Sequence, residues 1–170
     1  MAFSVEIWYD INIISGEEAL NILFVCSGNT CRSPMAAYLG AALGDKFFPD
    51  CGFRFDSAGV TAAYGDFATD DAVTVMAEWG IDLSDHRSKP FRVGMADKAD
   101  LIICMTEAHK RFLIRECPAA SKKICLIGEV SGSGGHIPDP YGRGLDIYRL
   151  TRNVLKEEIT ETLRALAAKK

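Results

Sequence analysis

Asn21-Ile22-Leu23-Phe24-Val25-Cys26-Ser27-Gly28-Asn29-Thr30-Cys31-Arg32-Ser33-Pro34 passes, after Asn21, from an apolar run to a mostly polar loop at one residue, Cys26. Met35-Ala36-Ala37-Tyr38-Leu39 then reads as helix. A short continuous apolar run bounded by turn residues fits a strand buried on both faces. The segment is therefore strand, tight loop, helix, with a thiol, an arginine and a hydroxyl at Cys-x5-Arg-Ser spacing.

Such a loop is suited to an anion. Successive backbone N–H groups form a concave nest, and the following helix adds its positive end. Ser27, Gly28, Asn29, Thr30, Cys31, Arg32 and Ser33 are the expected lining of a phosphate site. Gly28 and Asn29 are residue types that accept left-handed backbone. Ser33 reads as an N-cap and Pro34 as the first helical residue. The planar fork of Arg32 can grip two phosphoryl oxygens at once. Cys26, beside arginine and a helix N-terminus, is expected to be an acidified thiol able to attack phosphorus and form a phosphocysteine. Ser33 would then hydrogen-bond the sulfur as it leaves. Cys31 has two readings: a reversible disulfide partner that shields Cys26, or simple packing.

The rest of the chain alternates strand and helix. Strands are expected at 21–25, Phe53–Ser57, Ala99–Met105 and Lys123–Ile127. Helices are expected at 34–48, 69–79, 107–116 and 145–168, with residues 131–142 as a Gly/Ser/Pro-rich loop. This order implies an α/β fold: a three-layer, doubly wound, four-stranded parallel sheet with helices on both faces. Ligands of such sheets bind beyond the carboxyl ends of the strands, where Cys26 lies. His109 reads as a solvated helix residue and His136 as a loop residue.

Composition bounds the function. The chain has 170 residues and a net charge of −4, enough for one domain and a poor match to nucleic acid. No apolar run reaches the length of a membrane span. Residues 3–13 alternate, with Glu6 and Asp10 where a secretory signal would be basic and then apolar. A cytoplasmic protein is expected, its six cysteines mostly reduced. A zinc site is not expected, since no Cys-x-x-Cys or paired His/Cys spacing occurs.

From about residue 21 onward the chain resembles the low-molecular-weight protein tyrosine phosphatase family. Three separated motifs carry the resemblance: Cys26 through Pro34, Asp56-Ser57-Ala58-Gly59, and Asp139-Pro140-Tyr141. The resemblance implies Cys26 as nucleophile, Arg32 as phosphate clamp, and Asp139 as acid and then base. It implies Tyr141 at the pocket mouth, and Asn29, Ser33, Ser57 and His86 as the network that holds the loop. It also implies phosphorylated proteins as substrates and a phosphatase that needs neither a metal nor an organic cofactor, and it leaves the oligomeric state open. Within the family, Thr30 looks like the bacterial protein arginine phosphatase branch, where the tyrosine-specific branch usually has an aliphatic residue. Thr30 and Tyr141 are thus the expected specificity residues, and phosphoarginine on proteins the expected substrate. Phe67 is expected to add bulk near the pocket rim.

The same-family alternative is phosphotyrosine. Thioredoxin-coupled arsenate reductases share the Cys-x5-Arg loop, but they need two further cysteines close together. Here Cys104 and Cys117 have twelve residues between them, and Pro34 stands where those enzymes tend to have Gln. A silent phosphoprotein-binding module is disfavoured by Cys26, Arg32 and Asp139 occurring together. Residues 1–20 match nothing in the family pattern, so two units are expected: an N-terminal extension, 1–20, and a phosphatase domain, 21–170. The extension reads either as an added strand or as an upstream gene-model error.

Overall fold

A computed structural model describes residues 19–170; the alternating stretch 3–13 lies outside the described residues. The chain runs β1 (Leu20–Cys26), α1 (Arg32–Phe47), β2 (Phe53–Gly59), α2 (Asp70–Ala77), α3 (Val93–Lys98), β3 (Leu101–Cys104), α4 (Glu107–Glu116), β4 (Ile124–Leu126), α5 (Ile127–Ser131) and α6 (Leu145–Ala167), with short 3₁₀ turns at Pro49–Cys51 and Pro118–Lys123. The four strands form one sheet in the order β2-β1-β3-β4, every pair parallel.

β1 explains its own sequence. Ile22, Phe24 and Cys26 face one core layer together with Met35 and Leu39 of α1, Val75 of α2 and Leu155 and Ile159 of α6. Leu23 and Val25 face the other layer, against Ala96 of α3 and Leu113 of α4. A strand covered on both sides has no reason to alternate polar and apolar residues. The expected doubly wound, three-layer architecture is the one observed.

The chain leaves β1 for β2 on one side and reaches β3 on the other. The sheet's switch point therefore lies at the carboxyl end of β1, the usual place for a ligand crevice. Helix α4 is capped by Thr106, whose hydroxyl accepts from the His109 N–H. The short helices α3 and α5 lie outside the expected elements. Six and five residues are too few to show a helical period. Gly128, within α5, serves close packing. A Cβ on Gly128 would collide with the Gly134–Gly135 backbone, so this loop lies directly on α5 before it reaches Asp139.

Candidate active site

The loop Ser27–Cys31 closes over the end of β1. Asn29 makes the turn at φ +55, and Gly28 does not share the left-handed conformation expected of both. A short polar side chain that can bond locally suits that backbone. Asn29 is wholly buried. Its Nδ2 donates to Ser33 Oγ and Ser57 Oγ, each at 2.9 Å, and its Oδ1 accepts from the Lys89 N–H at 2.9 Å. The Asn29 carbonyl accepts from His86 Nε2 at 2.7 Å. The four residues expected to form one network are brought together around the loop. His86 is buried, and burial pushes its pKa below the usual histidine value. Gly59 completes the support: a Cβ there would stand 2.9 Å from the Asn29 nitrogen and closer still to the Ser27 carbonyl oxygen.

Helix α1 begins at Arg32 rather than at residue 34, and Ser33 is not its cap. The Ser33 hydroxyl is used elsewhere. It lies 2.9 Å from Cys26 Sγ and 3.3 Å from the Ala58 carbonyl oxygen. Without a side-chain cap, the first N–H groups of α1 are left to face the loop. Pro34 falls in that first turn, where a missing N–H disturbs nothing.

Cys26 is buried, and this reverses one expectation. Burial pushes its thiol above the ordinary value of 9.0, although the Ser33 hydroxyl, the Ser33 and Asn29 backbone N–H groups and the Arg32 charge all pull it down. Desolvation of an anion outweighs those contacts. Cys31 is also buried, with its sulfur 3.1 Å from the Tyr148 hydroxyl and 3.6 Å from Thr69 Oγ1. Both thiols are free and line the same pocket.

Arg32 is buried beneath this pocket. Its Nη1 donates to the Ile137 carbonyl at 3.1 Å, and its Nη2 meets Ser27 Oγ at 3.3 Å and Asp139 Oδ2 at 3.1 Å. Its Nε has no hydrogen-bond partner among the described residues. Nε and Nη2 share the edge of the fork that a phosphate or carboxylate bridges. An orphaned buried donor on that edge fits a bound oxyanion.

The pocket is about 260 Å³ and is lined by Cys26, Ser27, Gly28, Thr30, Cys31, Arg32, Thr61, Asp139 and Tyr141. Larger clefts, of about 320 to 440 Å³, lie away from Cys26. The small one holds the thiol, the arginine and the carboxylate together. Asp139 and Tyr141 are both exposed at its mouth. Phe67 does not line it; the ring lies under the Arg87 guanidinium at 3.6 Å and faces solvent.

Two lining or supporting residues were not legible as such. Thr61 follows β2, and its N–H donates to the Ser27 carbonyl at 3.0 Å. His109, expected to be solvated, is buried, with Nε2 2.9 Å from Ser27 Oγ and Nδ1 3.0 Å from Thr106 Oγ1. Burial, then the Arg32 charge, push its pKa down to about 4, against a weaker upward pull from Asp139. The usable signal was its position in the first turn of the helix after β3, at the ligand end of the sheet.

Residues 21–170 match the family described as low molecular weight phosphotyrosine protein phosphatase. The chain belongs to that family. Among curated relatives of this phosphatase, a protein-arginine-phosphatase of Geobacillus stearothermophilus is 42% identical over 79% of this chain and 88% of its own. A protein-arginine-phosphatase of Bacillus subtilis is 38% identical over 87% of this chain and 95% of its own. The crystal structure of a low molecular weight protein tyrosine phosphatase from T. tengcongensis superposes with a TM-score of 0.82 at 39% identity, covering 86% of this phosphatase and 99% of that chain. Among the described residues, no helix of this phosphatase is long and apolar enough to cross a membrane.

Proposed function

We propose that residues 21–170 hydrolyse phosphoarginine on proteins in the cytoplasm, through a phosphocysteine at Cys26. The observation that carries the substrate choice is Thr30, whose side chain stands in the pocket wall beside Cys26, Asp139 and Tyr141. A hydroxyl there can hydrogen-bond a polar guanidinium or position water; an aliphatic side chain would offer an aromatic ring only an apolar wall. Two relatives named protein-arginine-phosphatase support the same choice.

The chemistry follows from the contacts. The phosphoryl oxygens occupy the loop N–H groups and the Nε–Nη2 edge of Arg32, displacing Asp139 from Nη2. The docking dianion is the base nearest the sulfur and takes the thiol proton. Ser33, which accepts from Asn29, turns its own hydroxyl from the Ala58 carbonyl to the thiolate. The phosphoryl oxygen passes the thiol's proton to the displaced Asp139; the S–P bond forms as the P–N bond breaks, and Asp139 gives that proton to the departing guanidine nitrogen. Water then attacks the phosphocysteine, Asp139 takes a proton from it, and the S–P bond breaks. No step draws on a metal or an organic cofactor. Cys31 lines the same pocket and is the proposed partner for a reversible disulfide that protects Cys26.

The phosphotyrosine reading is favoured by Tyr141, exposed at the pocket mouth where it can meet an aromatic ring. The arsenate reductase reading loses its relay. Cys104 and Cys117 sit in the core layer on the face of the sheet opposite Cys26. The deciding test compares kcat/KM on phosphoarginine and phosphotyrosine peptides for the parent and for Thr30→Ile. The parent should prefer phosphoarginine and the variant should shift toward phosphotyrosine. A parent that prefers phosphotyrosine rules out the substrate assignment.

A further inference from the structure

Ser27 Oγ is shared between the phosphate-clamp arginine and a buried histidine. Arg32 Nη2 can only donate, so Ser27 Oγ accepts from it at 3.3 Å. The single Ser27 proton is then available to His109 Nε2, 2.9 Å away. In the tautomer that carries the neutral ring's proton on Nδ1, where it donates to Thr106 Oγ1 at 3.0 Å, Nε2 accepts from Ser27. Thr106 Oγ1 also accepts from the His109 N–H, so helix α4 fixes the imidazole from both its cap and its first turn. The charges bearing on the ring are Arg32 and Asp139, and Arg32 favours the neutral form.

We propose that His109 is a positioning residue for the phosphate clamp: it holds the Ser27 hydroxyl turned away from the pocket, so that the Ser27 oxygen anchors Arg32 Nη2 and orients the Nε–Nη2 edge toward the anion. The inference rests on reading the Ser27–Ser33 loop as a phosphate site. Three elements contribute to the relay. Thr106 and His109 come from α4, Ser27 from the loop after β1, and Arg32 from the start of α1. A rotated Ser27 hydroxyl would point its proton at Arg32, and two donors facing each other would loosen the guanidinium plane.

The test uses the affinity for inorganic phosphate, measured by calorimetry, so that it does not depend on turnover. His109→Phe keeps the ring volume and removes the acceptor; phosphate affinity should fall about tenfold, the scale of one misdirected charge-assisted hydrogen bond. His109→Gln, whose amide oxygen reaches the Nε2 position, should recover most of that loss. Ser27→Ala should lose a similar factor, and adding His109→Phe to it should cost little more. With p-nitrophenyl phosphate, the phenylalanine variant should show a raised KM and a smaller change in kcat. Nitrogen-15 spectra of the parent's His109 ring should show the proton on Nδ1, a readout independent of how any variant folds. A proton on Nε2, unchanged phosphate affinity in His109→Phe, failure of the glutamine rescue, or full additivity with Ser27→Ala would each overturn the inference. If the parent binds phosphate as expected but does not hydrolyse p-nitrophenyl phosphate, the catalytic reading fails while the positioning role stands.

Discussion

Asn29→Ala is the substitution to which this site is most exposed. The side chain makes three hydrogen bonds, to Ser33 Oγ, Ser57 Oγ and the Lys89 N–H, all at 2.9 Å and none shared with solvent, since Asn29 is 0% exposed. At about 1 kcal/mol each, their loss amounts to about 3 kcal/mol. Alanine at φ +55 adds about 1 kcal/mol of backbone strain. The expected loss is thus about 4 kcal/mol, a large part of the 5–15 kcal/mol typical of a domain. Urea unfolding at neutral pH measures it directly. Asn29→Gly removes the same bonds without the strain, so it should be about 1 kcal/mol more stable than the alanine variant. In both variants Ser33 is freed from Asn29, the Cys26–Ser33 contact loosens, and kcat on p-nitrophenyl phosphate should drop. A loss below about 1 kcal/mol for Asn29→Ala would refute the view that this side chain carries the loop. Equal stability of the alanine and glycine variants would refute the strain argument alone.

Further outcomes follow from the same geometry. Gly59→Ala should destabilise and lower phosphate affinity together, because its Cβ would push on the Asn29 nitrogen and the Ser27 carbonyl; a folded variant with parental phosphate affinity contradicts that. The depressed His109 pKa makes stability depend on acid. As pH falls below 6.5 the unfolded chain takes up the proton first, so stability declines until about pH 4, where the folded protein also binds it. At about 1.4 kcal/mol per pH unit the upper limit is about 3 kcal/mol, and relaxation around the charged ring brings it to about 1–2 kcal/mol. Urea midpoints for parent and His109→Gln across pH 4 to 6.5 should diverge by that amount, and parallel curves contradict the assignment. Alkylation of Cys26 by iodoacetamide should still be accelerating above pH 9, since burial raises its thiol, and Ser33→Ala should move the profile higher. A plateau already reached at pH 7 would show the thiol to be acidic after all.

The strand–loop–helix at 21–39 was legible because each part has a local cause. A continuous apolar run needs cover on both faces, a polar turn of Gly and Asn breaks it, and Ala-rich sequence resumes as helix. The parallel order follows from strands that alternate with helices, since parallel strands need crossovers. Asp139 and Tyr141 were legible only through resemblance to a family, because nothing near residue 139 says that it returns to Cys26. The loop reaches the site because it lies on Gly128 and because Arg32 holds the Ile137 carbonyl.

By itself, the sequence determined which chemical groups the loop carries: a thiol, an arginine and a hydroxyl at Cys-x5-Arg-Ser spacing, with an asparagine and a threonine between them. Tertiary structure decided what those groups experience. Burial raises the Cys26 thiol that local neighbours alone would acidify, because desolvation depends on every layer packed around it. The same packing draws the Ser33 hydroxyl inward from the helix end to the sulfur. It also brings His109, on an outwardly charged helix, against Ser27, 82 residues away along the chain. Residue type fixes which atoms can donate, accept or attack; only the fold fixes how far each is from water and which partner it faces.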